Sequence, residues 1–356
     1  MHDCMHGNDR RKDITITWKG LRDLSVRYAS GVATHMNRAE STLAKCTSEA
    51  RSPAGDRIPV VALLAHRSLE WLATTVAILR CGLPFVWMGP GELPRKDWCM
   101  EASRNRAINE VLQPRLVIQG EGVPNEVLPD WPKKTRVHPY RIALHDLAKT
   151  PPLQAALPFA PAGEVLCYML TGGTTGASKC VEVTHRMALH EVQTYPQVAA
   201  DLTADDVVLQ HTPVLWAAST LGQINIALAF GATVCIGPSA DLGIVKSRAV
   251  TVLGLVPSSL EALDPRSVPS VHHVFTWGEA LPGNLGSQWR KSGVRVQELL
   301  ISTEYWLSFF REGEVSPSGQ SLFNPVQGLD FAVSPQTGDV GKQRPGDAAA
   351  FSRRIR

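Results

Sequence analysis

An α/β fold with largely parallel sheets is what this 356-residue sequence predicts, and two observations predict it. Short, wholly apolar runs recur along the chain, as expected of strands buried on both faces. Between them lie longer stretches with one apolar helical face, so strand and helix alternate as parallel βαβ units require.

The first element is an amphipathic helix, because Thr17 can cap it and Leu21, Leu24, Tyr28 and Val32 fall on one side. Residues 60–64 form an apolar strand, 70–79 a helix and 84–88 a second strand, a βαβ unit. The apolar stretch 71–88 is broken by Arg80, Gly82 and Pro84, which excludes a membrane span. Further strands are expected at 115–119, 165–170, 180–183, 232–236, 252–256, 273–276 and 294–299. The proline-rich stretch 150–163 reads as a connector. Residues 329–333 form a strand that enters a turn at Pro335, Thr337 and Gly338. This gives a first α/β subdomain over 1–150, a second over 151–328, and an incomplete β subdomain over 329–356.

Composition narrows the function. Hydrophobic residues make up 44% and charged residues 19%, values of an ordinary folded protein. The 36 basic and 33 acidic residues leave a net charge of +3, too balanced for a nucleic-acid footprint, so a small-molecule partner is expected. Cys4, Cys46, Cys81, Cys99, Cys167, Cys180 and Cys235 lack Cys-x-x-Cys spacing, which argues against a zinc site or a disulfide framework and for a reducing compartment. Residues 1–13 lack the apolar core of a secretory signal, so a cytoplasmic location is expected.

The most informative segment is Thr171-Gly172-Gly173-Thr174-Thr175-Gly176-Ala177-Ser178-Lys179, between two expected strands. Glycines let backbone N–H groups turn inward, threonines add hydroxyl donors, and Lys179 adds positive charge, a composition suited to cradling polyphosphate. It is not a Walker loop, which needs glycine directly before its lysine and a helix directly after. The string from Tyr168 to Val181, with Thr184-His185 behind it, resembles the phosphate-loop signature of the adenylate-forming superfamily, which includes acyl-CoA synthetases, adenylation domains of nonribosomal peptide synthetases and beetle luciferases. Gly172, Ser178 and Cys180 stand where that family usually has serine, proline and glycine.

The resemblance continues in order down the chain. Residues 58–90 are similar to the family's early strand–helix–strand element. Residues 207–213 and 231–234 bracket a helix that in the family lines the acid pocket, which places His211, Trp216, Ala217 and Ala218 there. Either Ala217 or Ala218 stands where enzymes for α-amino acids carry an aspartate, which disfavours an α-amino acid; Trp216 stands where acyl-CoA synthetases have a histidine or aromatic gate, which favours a fatty or aryl acid. Residues 274–282 resemble the segment packed against adenine, implying roles for Trp277, Gly278 and Glu279, with Trp277 in the place of a glycine. Leu300-Ile301-Ser302-Thr303-Glu304 resembles the tyrosine-glycine-x-threonine-glutamate motif, without its tyrosine and glycine.

The resemblance implies the large N-terminal domain of adenylate-forming enzymes: two α/β subdomains with mostly parallel sheets packed against helices, and the start of a small β subdomain. It implies catalytic roles for Lys179, Thr303 and Glu304, with Ser302 beside the nucleotide and Glu304 holding Mg2+. ATP and Mg2+ are the implied cofactors, and CoA or the phosphopantetheine of a carrier protein the implied thiol acceptor. The expected reaction joins a carboxylic acid to AMP and then forms a thioester. The family's ribose motif, hinge arginine and C-terminal lysine domain are not found before Arg356, and Thr337-Gly338-Asp339 follows Glu304 too closely to be the ribose motif, so a truncated chain is expected. The alternative is a relative that binds ATP or AMP without turnover.

Overall fold

The computed structural model describes residues 2–3, 14–46, 58–129, 139–151, 160–171, 179–237, 243–303, 306–313, 323–327, 331–333, 340–342 and 354–355. Two compact units emerge. One comprises Met1–His185, Pro213–Ala217 and Arg354–Arg356, the other Arg186–Thr212 and Ala218–Arg353.

In the first unit, helix α1 (Trp18–Cys46) opens behind Thr17, whose Oγ1 accepts from the Gly20 amide at 3.0 Å. It buries Leu21, Tyr28 and Val32 of the expected stripe, with Leu24 half-buried, and adds Met36. Strand β1 (Val61–Leu64) follows, then α2 (Leu69–Arg80) and β2 (Phe85–Trp87). Ser68 caps α2 by accepting from the Trp71 amide, and Glu70 and Arg80 lie at the ends where the helix dipole favours their charges. Trp71 packs on Trp87 with ring centroids 4.8 Å apart, and the Trp87 indole N–H donates to Thr75 Oγ1. Helix α3 (Trp98–Leu112), β3 (Leu116–Gln119), β4 (Tyr140–Ala143), β5 (Val165–Leu170) and β6 (Cys180–Thr184) complete this part of the chain.

Strands β1 to β5 pair in parallel in the order β5-β2-β1-β3-β4, and β6 runs antiparallel at the β5 edge, with a short strand at Arg354–Ile355 beyond it. Because β5 pairs with β2 through Phe85 and Cys167, residues 160–185 belong with this unit, and the boundary falls at His185 rather than at 150. Strand β4 has only one buried residue, so its sequence offers no apolar run to read.

The second unit contains α4 (His185–Val198), β7 (Val207–Gln210), α5 (Ala217–Phe230), β8 (Thr233–Ile236), α6 (Gly243–Ser247), β9 (Val252–Leu255), α7 (Pro257–Glu261), β10 (His273–Thr276), α8 (Gly283–Lys291), β11 (Arg295–Leu300), β12 (Phe309–Glu312) and β13 (Asn324–Pro325). Its strands follow the order β8-β7-β9-β10-β11-β12-β13, parallel as far as β11 and antiparallel after it. The core is apolar: β9 and β10 are wholly buried, and Tyr195 meets Phe275 edge-on at 5.9 Å. Phe331–Val333 and Val340–Lys342 form a separate antiparallel hairpin. The expected turn at Pro335, Thr337 and Gly338, and Asp339 after it, lie outside the described residues.

Candidate functional site

The first unit presents the glycine-rich loop at the carboxyl end of β5. Leu170 pairs with Cys180, the Thr171 amide donates to the Lys179 carbonyl at 2.9 Å, and the Lys179 amide donates to Thr171 Oγ1 at 3.4 Å. The two ends of the loop are thus clamped together, while Gly172, Gly173, Thr174, Thr175 and Gly176 lie outside the described residues. Lys179 is exposed and forms no ion pair among the described residues, which leaves its ammonium available to an anion.

A crevice beside β5 is lined by Trp87, Arg104, Tyr168, Leu170, Leu215 and Ala217. Arg104 donates to the Leu215 carbonyl at 3.0 Å and lies 5.0 Å from the Trp216 ring centre, a cation–π contact. Burial lowers its pKa, although a guanidinium keeps its charge at any physiological pH. Trp216 itself is 47% exposed, and Ala217 and Ala218, half-buried, open α5.

Three polar side chains hold the turn after β2. The buried Glu101 carboxylate accepts from the amides of Gly91 and Leu93. Asn105 exchanges hydrogen bonds with both backbone groups of Gly89 and donates to the Val127 carbonyl. Glu92 pairs with Arg67 at 2.9 Å and accepts from the Val214 amide, with both charged side chains over nine-tenths buried.

In the second unit, the parallel strands put the predicted residues at one edge of the sheet. His211 follows β7, Trp277, Gly278 and Glu279 follow β10, and Ser302 and Thr303 follow β11, all at carboxyl ends, where open α/β sheets bind ligands. Gln223 of α5 organises this edge. Its carbonyl oxygen accepts from the amides of His211 and Thr212, and its amide nitrogen donates to Thr212 Oγ1 and the Gly254 carbonyl. His211 Nε2 is 3.3 Å from that same carbonyl.

Trp277 is only 5% exposed and its indole N–H donates to Ser219 Oγ at 2.9 Å. The far end of the ring reaches β9 at Gly254, where an added Cβ would stand 2.2 Å from Cη2. Gly278 has φ +79, a conformation that costs glycine nothing. Glu279 accepts from the amide and hydroxyl of Ser258 at 3.0 and 2.9 Å. Thr303 is half-buried, and Glu304 lies outside the described residues. Among the described residues no group of three His, Cys, Asp or Glu side chains could hold a metal ion, and no helix is long and apolar enough to cross a membrane.

Sequence reasoning missed Arg104, Ser219, Gln223 and Gly254. Two of them left a signal: Gly254 interrupts the apolar run of β9, which marks a close approach, and Gln223 is a polar residue within an apolar helix.

Comparison with known proteins covers most of the chain. A family model described as AMP-binding enzyme matches residues 53–333. The nonribosomal peptide synthetase gliP of Aspergillus fumigatus is 26% identical over 288 residues, which is 79% of this chain and 13% of that protein. The hybrid PKS-NRPS synthetase TAS1 of Gloeophyllum trabeum is 26% identical over 80% of this chain and 17% of its own length. This chain therefore spans a small part of these relatives. Among solved structures, the N-terminal subdomain of Klebsiella oxytoca NpsA in complex with 3-hydroxybenzoyl-AMSN superposes with a TM-score of 0.71 at 17% identity, covering 95% of this chain and 78% of that one. The o-succinylbenzoate CoA synthetase MenE of Bacillus subtilis gives 0.69 at 16% identity, covering 94% and 64%. These two likenesses carry the fold, and the family model, spanning the glycine-rich loop and the 300–304 motif, carries the membership: the chain belongs to the AMP-binding enzyme family.

Proposed function

We propose that this chain activates a carboxylic acid by ATP-dependent adenylation and that the acyl group then passes to a thiol, on CoA or on the phosphopantetheine of a carrier protein. The observation that carries this reading is the clamped pair of loop ends at Thr171 and Lys179, with Lys179 exposed and in no ion pair among the described residues. A carboxylate is a poor acyl donor because its leaving group would be oxide. One carboxylate oxygen attacks the α-phosphorus of ATP, the bond to the β-phosphate oxygen breaks, and pyrophosphate leaves, so that AMP becomes the leaving group of the acyl donor. The thiol, losing its proton, then attacks the carbonyl and releases AMP.

In this reading residues 171–179 hold the β- and γ-phosphates, with Lys179 neutralising charge that builds on the departing pyrophosphate. Thr303 donates to the α-phosphate, and Ser302, Trp277, Gly278 and Glu279 border the nucleotide. Glu304 would hold the magnesium ion, which supplies charge neutralisation on the phosphate oxygens. A site with a single carboxylate suits this ion, because Mg2+ keeps several waters and binds through one or two carboxylates plus substrate phosphates.

Pyrophosphate exchange into ATP with a panel of acids tests the reading. Acid-dependent exchange is expected, falling by on the order of 100-fold or more in Lys179→Ala, as when one charge-stabilising donor is removed. Stabilisation by ATP without exchange for any acid would leave the alternative, a relative that binds the nucleotide without turnover.

A further inference from the structure

We infer that Trp277 closes the acid-binding space of the second unit and restricts this chain to short carboxylic acids; the inference rests on the adenylation reading and names its substrate class. The open end of a parallel sheet is where an α/β unit takes its ligand, and here the floor of that end is β9 with β7 and β10 beside it. Gly254 breaks the apolar run of β9. A glycine inside a strand leaves room for something to approach the backbone closely, and what approaches is the protein's own indole.

The ring cannot easily leave. Its N–H is spent on Ser219 Oγ, its far end abuts Gly254, and the neighbouring backbone is pinned by Gln223, which bonds to His211, Thr212 and Gly254 at once. A side chain on residue 254 would meet the ring at 2.2 Å, so glycine at 254 and tryptophan at 277 fit as a pair. The volume that an aryl ring or long acyl chain would need between α5 and β9 is therefore taken by a side chain that is 5% exposed. The fatty or aryl preference suggested by Trp216 gives way to an acid of a few carbons.

Non-hydrolysable acyl-sulfamoyl adenosines carrying acetyl, butyryl, octanoyl and benzoyl groups test this, with affinities measured by calorimetry on the whole chain and on Trp277→Ala. AMP alone serves as the probe for the adenylation reading. The unaltered chain is expected to bind the acetyl compound at least about 100-fold tighter than the benzoyl and octanoyl compounds, the scale on which a pocket rejects excess bulk. Trp277→Ala is expected to bring that ratio to within about tenfold. Should Trp277→Ala not fold, Trp277→Leu and the ratio in the unaltered chain still decide. Equal affinity of the unaltered chain for acetyl and benzoyl compounds, or an unchanged ratio in the variants, overturns the inference. Absence of AMP binding in the unaltered chain overturns the adenylation reading and the inference with it.

Discussion

Gln223 carries more of the second unit's site than any residue singled out from the sequence. Four of its bonds go to a backbone amide, a carbonyl or a hydroxyl, and none goes to a charge. Replacing it with leucine keeps the volume but leaves the amides of His211 and Thr212 without this acceptor. Each orphaned group costs about 1–3 kcal/mol, and a domain of this size loses roughly 2–4 °C of melting temperature per kcal/mol. A calorimetric melt of Gln223→Leu should therefore fall by several degrees, and an unchanged melt would mean that other donors satisfy the turn. Trp277→Ala should cost more, about 3–5 kcal/mol, because it empties a ring-sized space against β9. Trp277 was legible as a residue of interest, but its direction was not: adjacency to Gly278 and Glu279 says nothing about which neighbour the ring rests on. The contact with Gly254 joins residues distant in sequence, and only the parallel pairing of β9 with β10 brings them together.

Among the elements, the strands buried on both faces were the easiest to read. The bounds of β5 and β10 are those expected from apolar runs alone, and α1 and α2 follow their caps and stripes. Strand β4 went unread because it lies at a sheet edge with a mixed pattern, where composition and burial part company. Strand β10 also carries a pH response. Burial lowers the pKa of His273, against the opposing influence of Asp201, 3.5 Å from its Nδ1, and the Gln297 hydrogen bond at Nε2. An unfolded histidine takes up a proton below about 6.5, while the folded one resists it, so the unfolded state binds more protons in that range. Stability should fall as the pH drops below about 6.5. The urea midpoint between pH 8 and 5.5 should decline less in His273→Gln than in the unaltered chain; an equal slope would place the titration elsewhere. The turn after β2 responds to substitution in a different way. Asn105→Ala removes an acceptor and two donor bonds from buried backbone at Gly89 and Val127, so it should lower the melting temperature more than Ser68→Ala, which loses one helix cap worth about 0.5–2 kcal/mol.

At the scale of the whole molecule, the sequence made the class of fold legible and placed one boundary wrongly. The proline-rich connector suggested a division at 150, but chemistry at the surface does not decide which sheet a strand joins. Strand β5, which follows the connector, pairs with β2, so the stretch as far as His185 belongs to the first unit. The site residues divide accordingly: Thr171, Lys179, Trp216 and Ala217 fall in one unit, and His211, Ala218, Trp277 and Thr303 in the other. The glycine-rich segment and the 300–304 segment were readable because their residues are contiguous in sequence, whereas the contacts of Ser219 and Gln223 depend on which strands lie side by side. If the adenylation reading is right, the chain binds Mg·ATP and Lys179 contributes to that binding. Calorimetric titration of Mg·ATP into the unaltered chain and Lys179→Ala tests this most directly. Binding by the unaltered chain that weakens in Lys179→Ala is the expected result. No binding by the unaltered chain, or equal affinity in the variant, would contradict it.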